Sequence, residues 1–269
     1  MSSNENLRIE AEKYFLDLRD RICLKFEEID SGGSFQRTNW QREKGGGGVI
    51  SLMKGKVFEK VGVNCSTVFG ELDSEFGKKL PGYQQYFFAT GISLVAHLFN
   101  PMVPAVHMNL RFIETDHPWF GGGTDMTPYF PFEEDTRDFH QALKTACDKH
   151  DPRYYPKFKK WCDEYFFLEH RKEPRGIGGV FFDYLNENMD KKFLFIKEIG
   201  EAFLDVYPRI ASRRKNLIFT DDQKEHQLYR RGRYVEFNLM YDRGTLFGLK
   251  TGGNIDAILM SLPPIVKWK

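Results

Sequence analysis

Apolar side chains at Leu7, Tyr14, Leu18, Ile22 and Phe26 recur near a helical period, with charged residues filling the gaps. That stripe predicts an amphipathic helix over 4–30, stopped by Ser31-Gly32-Gly33, so that residues 1–33 form an N-terminal helical segment. From Phe35 to Leu72 the pattern changes to short apolar runs, VISLM, KVFEKVGV and STVFG, separated by glycines at 45–48, 55 and 62. Consecutive antiparallel strands are predicted there. Gly45 to Gly48 reads as a mobile loop and candidate lid edge, since no Gly-Lys-Ser/Thr follows to make it a phosphate cradle. Tyr86 to Phe99 and Ala105 to Glu114 predict two more strands, and Trp119 to Phe130 an extended segment around three glycines. Helices are predicted over 133–149, 156–170, 189–215 and 221–230, the last with Thr220 and Gln223 at capping-box spacing. GGVFFDYL reads as a buried strand. RYVEFNLMY alternates Val235, Phe237 and Leu239 against Tyr234, Glu236 and Asn238, and reads as another; Asn254 to Leu262 reads as a short helix. With no repeat or linker, the chain is predicted to be one α+β domain over 1–269 on a large antiparallel sheet.

Composition narrows the function classes. The 39 basic and 38 acidic side chains leave a net charge of +1, which disfavours a general nucleic-acid or membrane-surface binder. An aromatic content of 15% excludes disorder and coiled coil. No apolar run reaches the roughly 18 residues of a membrane span, and MSSNENLRIEAEKYF resembles neither a signal nor a transit peptide, so a soluble, cytoplasmic protein is expected. Cys23, Cys65, Cys147 and Cys162 lack C-x-x-C spacing and read as reduced packing residues.

Candidate chemistry concentrates in a few segments. On the strand Ala105 to Glu114, a period of two sends His107, Asn109 and Arg111 to one face and Val106, Met108, Leu110 and Phe112 to the other. A titratable ring, an amide and a fixed cation on one surface suit an acidic ligand, although an ordinary solvent-facing strand would look the same. Asp125 follows a glycine run, as a turn cap or as a carboxylate on a cleft floor. Asp242 and Arg243 in YDRGTLFG stand at a strand end, as a turn pair or as site residues. Arg230, Arg231 and Arg233 form a solvated face or an attraction for a polyanion. Seven histidines include no H-E-x-x-H or H-x-H, and hydrolase, Walker and dinucleotide motifs are absent.

Long blocks carry a more specific signal. GKVFEKVGVNCSTVFGEL at 55–72, GISLVAHLFNPMVPAVHMNLRF at 91–112, WFGGGTDMTPYFPFEED at 119–135, KKWCDEYFFLEHRKEPRGIGGVFFDYL at 159–185 and YRRGRYVEFNLMYDRGTLFGLKTGG at 229–253 stand in this order. Together they resemble the oxygen-dependent coproporphyrinogen III oxidase family over nearly the whole chain from residue 35. The resemblance implies an antiparallel sheet with helices on both faces, a homodimer with a dimerisation segment at 234–268, and oxidative decarboxylation of two propionates of coproporphyrinogen III to vinyl groups. Protoporphyrinogen IX, CO2 and H2O2 are the implied products, with O2 as co-substrate and no cofactor. His107 matches the acid/base position. Asp125 and Asp242 match essential acids, and Ser93, Asn109, Arg111, Arg243, Gly252 and Gly253 match substrate contacts.

His97, His107, His140 and His170 match histidines once proposed as metal ligands, but the expectation here is no metal. Coproporphyrinogen carries four propionates, so arginines are expected to meet carboxylates while a carboxylate, Asp242, accepts pyrrole N–H bonds. Where relatives commonly carry Arg soon after the final glycines, this chain has Asn254, which removes one propionate pairing; Lys250 is a candidate replacement. The rivals are a tetrapyrrole carrier on the same fold, which would not need the acids, and a metal-dependent oxygenase.

Overall fold

The computed structural model describes residues 3–71, 86–250 and 253–269. Seven strands among them form one antiparallel sheet in chain order: β1 Gln36–Gln41, β2 Gly46–Met53, β3 Phe58–Glu71, β4 Tyr86–Leu98, β5 Ala105–Glu114, β6 Pro118–Thr127 and β9 Gly178–Leu185. A two-stranded hairpin, β7 Phe167–Leu168 and β8 Glu173–Pro174, precedes β9. The helices are α1 Ser3–Asp30, α2 Glu133–Asp148, α3 Tyr154–Tyr165, α4 Met189–Arg214, α5 Asp221–Met240, α6 Arg243–Lys250 and α7 Ile255–Leu259. The expected α+β architecture is thus found.

Register assigns the two faces. Val63, Leu94, Met108, Thr124 and Val180 share one cross-strand row, and Cys65, Ile92, Leu110, Gly122 and Phe182 the next. This face is buried under α1 and α4, whose Leu7, Phe15, Leu18, Ile22, Phe26, Ile199, Phe203 and Ile210 fill the core. Truncating a side chain such as Phe26 would cost about 3–5 kcal/mol. Asp30 closes α1 in the same layer: its carboxylate accepts backbone N–H bonds from Gly33, Lys56, Val57 and Phe58 at 2.8–3.0 Å.

On the opposite face, one row reads Gly62, Val95, His107, Asp125, Gly179, the next Asn64, Ser93, Asn109, Gly123, Phe181, and a third Ser66, Gly91, Arg111, Gly121. Small residues recur in every row, so the surface is shallow. The C-terminal helices cover one end of it: Asn64 Nδ2 donates to Ala257 O, Lys60 Nζ to Leu262 O, and Met260 sits where a Cβ on Gly62 would stand. Helices therefore lie on both faces, as expected.

Four expectations are corrected. Residues 234–240 are helical: the capping box at Thr220 and Gln223 starts a helix that runs on to Met240, and the buried positions Gln227, Leu228, Arg231, Tyr234, Val235 and Asn238 recur every three to four residues. Gly46 to Gly48 belong to β2 and pair with β1 and β3, so this stretch is neither a loop nor a lid edge. The helix expected to reach 170 ends at Tyr165, because residues 167–174 turn into the hairpin. Finally, Arg231 is fully buried on Glu59 and Leu98 O, while Arg230 and Arg233 bind Glu173, so this trio is not an open basic face.

Candidate active site

β5 supplies the centre. His107, Asn109 and Arg111 occupy successive outward positions about 7 Å apart along the strand, and all three are partly exposed while the residues between them are buried. Ser93 on β4 stands beside Asn109 in register. Arg111 Nη1 donates to Asn109 Oδ1 at 2.7 Å and Nη2 to Asp183 Oδ1 at 2.8 Å. Asp183, on β9, is nearly buried, and Arg243 at the start of α6 approaches its other oxygen at 3.8 Å. Two arginines from distant parts of the chain thus converge on one carboxylate. The Arg243 guanidinium also lies over the rings of Tyr165 and Phe181, which stack at 4.4 Å between centroids.

His107 heads the other end. Its Nδ1 is 2.9 Å from Asp125 Oδ1. Asp125 is buried, and Arg175 Nη2 donates to its second oxygen at 2.6 Å. Burial alone would raise the Asp125 carboxyl, but the Arg175 guanidinium and the His107 hydrogen bond hold it below the usual carboxylate range. An ionised carboxylate only accepts, so Nδ1 carries the ring hydrogen and Nε2 is left for a substrate. Asp125 is accordingly not a turn cap: it is a strand residue on the floor of this face.

Local sequence explains how Arg175 reaches Asp125. Its backbone N–H donates to Phe166 O at 2.9 Å, anchoring it at the hairpin. In the following G-I-G-G stretch, Gly178 adopts φ +75°, and a Cβ on Gly176 or Gly179 would strike β6 backbone oxygens, so the chain can close tightly on β6. Removing either partner of this buried ion pair would cost about 3–5 kcal/mol.

Asp242 lies between two helices, where α5 ends and α6 begins, instead of at a strand end. Its Oδ2 accepts from Thr245 N and Oγ1, both at 2.8 Å, which caps α6, and its Oδ1 accepts from Tyr165 O–H at 2.9 Å. Lone-pair capacity remains on this partly exposed carboxylate. Gly253 N donates to Gly248 O at 2.9 Å. Gly252 lies outside the described residues. Asn254 N-caps α7 by accepting from Ala257 N at 2.9 Å, a helix-starting role for the residue that departs from the family pattern.

The four histidines that would be the fallback metal ligands, His97, His107, His140 and His170, form no common cluster. His97 is fully buried and bonded through Nε2 to Ser261 O at 2.8 Å; burial and nearby Arg231 push its ring down to about 3. His140, on α2, uses Nε2 on Ile177 O and Nδ1 on Tyr155 O–H. His170, in the hairpin turn, uses both ring nitrogens, on Tyr241 and Glu236. Among the described residues no group of three or more His, Cys, Asp or Glu side chains is placed to hold a metal ion. All four cysteines are buried and free of disulfides, and burial pushes the Cys23, Cys65 and Cys147 thiols up to about 12.

Four participants escaped the residue-level reading. Asp183 was signalled by its charge inside the apolar run GGVFFDYL. Arg175 was signalled only by the glycines after it, and the stacked Tyr165 and Phe181 by nothing local. No helix among the described residues is long and apolar enough to cross a membrane.

A family model described as coproporphyrinogen III oxidase matches residues 10–269. The oxygen-dependent coproporphyrinogen-III oxidase of Rickettsia bellii (strain RML369-C) is 58% identical over 277 residues, covering 98% of this chain and 99% of the relative. Those of Rickettsia africae (strain ESF-5) and Rickettsia akari (strain Hartford) are each 58% identical over 276 residues, with the same coverage.

Proposed function

The chain belongs to the coproporphyrinogen III oxidase family, and from that we propose that it converts coproporphyrinogen III and O2 to protoporphyrinogen IX, a step of haem biosynthesis. Each –CH2–CH2–COOH side chain reacts with one O2 to give –CH=CH2, CO2 and H2O2, so two electrons pass to dioxygen per propionate. One observation carries the site assignment: His107, Asn109, Arg111, Ser93 and Asp125 share a single shallow sheet face on which Arg243 also converges.

Arg111 and Arg243 bind propionates, with Asn109, Ser93 and the backbone of Gly252 and Gly253 as further contacts. Asp242, fixed by Thr245 and Tyr165, accepts pyrrole N–H bonds and favours loss of a proton, so that the electron-rich ring meets O2 directly. The reduced oxygen removes hydrogen from the propionate β-carbon as CO2 leaves, with His107 Nε2 moving the proton and Asp125 holding its ring. On this reading the substrate supplies the electrons, and no metal or organic cofactor takes part. The engagement of both ring nitrogens in His140 and in His170 supports that choice.

The working form is taken to be a cytoplasmic homodimer. The exposed apolar residues Leu239, Met240, Leu249, Ile255, Ile265 and Trp268 of segment 234–268 support a two-fold interface there. Sedimentation at micromolar concentration should give twice the chain mass.

The decisive experiment incubates chelator-treated protein with coproporphyrinogen III in air and separates the oxidised products by chromatography with fluorescence detection. Protoporphyrin should form at the rate seen without chelator. Loss of turnover restored by one metal would establish the metal-dependent oxygenase, and absence of product under every condition would leave the carrier.

A further inference from the structure

We propose that Arg175 is a positioning residue for this reaction: acting through Asp125, it sets the ring tautomer and orientation of His107 without touching the substrate. The proposal rests on the reading of His107 as the group that meets the substrate, and gives that reading a physical basis.

Arg175 cannot serve the substrate directly. Its side chain is 2% exposed, against 21% for His107. The guanidinium is enclosed by three rings, Phe166 at 4.0 Å, Tyr234 at 4.4 Å and Phe237 at 4.7 Å. Its other bond runs from Nη1 to Asn238 Oδ1 at 3.2 Å, and its Nε has no partner. A cation stripped of water to this degree is a poor stabilising device, since well-packed apolar residues do as well in such places. What the arrangement supplies is orientation. One Asp125 oxygen faces Arg175 and the other His107, so the carboxylate cannot rotate without breaking one of the two bonds.

The same geometry fixes a proton. While Asp125 is ionised it accepts from Nδ1, and Nε2 is a base. Without the Arg175 charge, Asp125 would be a buried carboxyl with one neutral partner, and burial favours its protonated form. A protonated Asp125 donates to Nδ1, so the ring must carry its hydrogen on Nε2 and can no longer accept there. Phe166 couples these parts further, because its ring faces both the Arg175 guanidinium and, edge to face, the His107 imidazole.

The test uses the full chain with Arg175→Met, which keeps apolar bulk in the cage, and Arg175→Lys, which keeps the charge. Long-range proton–nitrogen NMR, with the His107 signals assigned by their loss in His107→Gln, reads the tautomer. Turnover of coproporphyrinogen III in air gives kcat and KM. The expected result is the Nδ1–H tautomer in the unaltered protein and in Arg175→Lys, and the Nε2–H tautomer in Arg175→Met. In Arg175→Met, kcat should fall on the order of 100-fold while KM stays within about threefold, and Arg175→Lys should recover most of that loss. An unchanged tautomer in folded Arg175→Met, or a loss carried by KM, would overturn the proposal. If Arg175→Met does not fold, Asp125→Asn carries the same test, since its amide donates to Nδ1: an unchanged tautomer there is equally fatal. Near-normal turnover in His107→Ala would refute the acid/base reading on its own, whatever the tautomer does in the Arg175 variants.

Discussion

Asp183 Oδ1 accepts a 2.8 Å hydrogen bond from Arg111 Nη2, so the arginine assigned to a substrate carboxylate already faces a carboxylate of the protein. The second Asp183 oxygen lies 3.8 Å from Arg243, so one nearly buried acid draws a sheet residue and a helix residue to one point. It holds the two cations in place, and it also competes for them.

Neutralising that acid separates the two effects. In Asp183→Asn the competing charge is gone while the shape remains, and two charges about 4 Å apart interact by up to about 4 kcal/mol near a protein surface. Coproporphyrin, the stable oxidised analogue of the substrate, should bind about tenfold more tightly in a fluorescence titration, while kcat falls because Arg111 and Arg243 are less well oriented. Weaker binding would mean that anchoring outweighs competition.

Gly121 offers a steric route to the same place. A Cβ there would overlap Asp183 Oδ1 and come within 3.2 Å of Arg111 Nε. Gly121→Ala should therefore weaken coproporphyrin binding at least tenfold with a change in unfolding free energy of about 1–3 kcal/mol. Unaltered binding would remove Asp183 from the site.

Asp242 has two duties that one substitution can divide. Ser retains an N-cap oxygen for Thr245 N but carries no charge. Asp242→Ser should thus unfold within about 0.5 kcal/mol of the unaltered protein, whereas Asp242→Ala should lose about 1 kcal/mol. Both should lower kcat by about 100-fold or more. If Asp242→Ser turned over normally, the carboxylate would be a helix cap and nothing more.

Asp30 should contribute to the loss of stability in acid. Burial would raise its carboxyl, but four backbone N–H donors hold it below the ordinary value. A depressed folded-state pKa contributes stability that is fully present above the unfolded value, near 4, and is lost as pH falls through the folded value. Asp30→Asn turns an amide N–H toward backbone donors and should cost about 3 kcal/mol at pH 7, roughly 5–10 °C in melting temperature. Urea unfolding from pH 7 to pH 3 should show this gap shrinking below about pH 4.

Legibility in the sequence followed the range of the interactions. The alternation on β5 separated His107, Asn109 and Arg111 from the core because strand geometry enforces a period of two. The helix through Tyr234 was harder. Its buried stripe includes Gln227, Arg231 and Asn238, polar residues that break an apolar count, while Val235, Phe237 and Leu239 imitate a strand over five positions. Leu239 is in fact 43% exposed. The glycines at 46–48 have no side chains to show a pairing preference, and only their neighbours β1 and β3 make them a strand. The Arg175 cage draws Phe166 from the hairpin region and Tyr234 and Phe237 from α5, so no window of sequence contains it.

The sheet answers mutation in opposite ways on its two sides. Beneath it, under α1 and α4, harm comes from subtraction, since each methylene removed from Leu94, Met108 or Phe112 leaves a void. Above it, harm comes from addition, because a single methyl group at Gly62, Gly91 or Gly121 runs into Met260, the Leu110 backbone oxygen or Asp183 respectively. A lineage adapting this enzyme to a bulkier or smaller macrocycle therefore has little freedom on the floor of the site, and the changes open to it lie on the helices and loops that wall it.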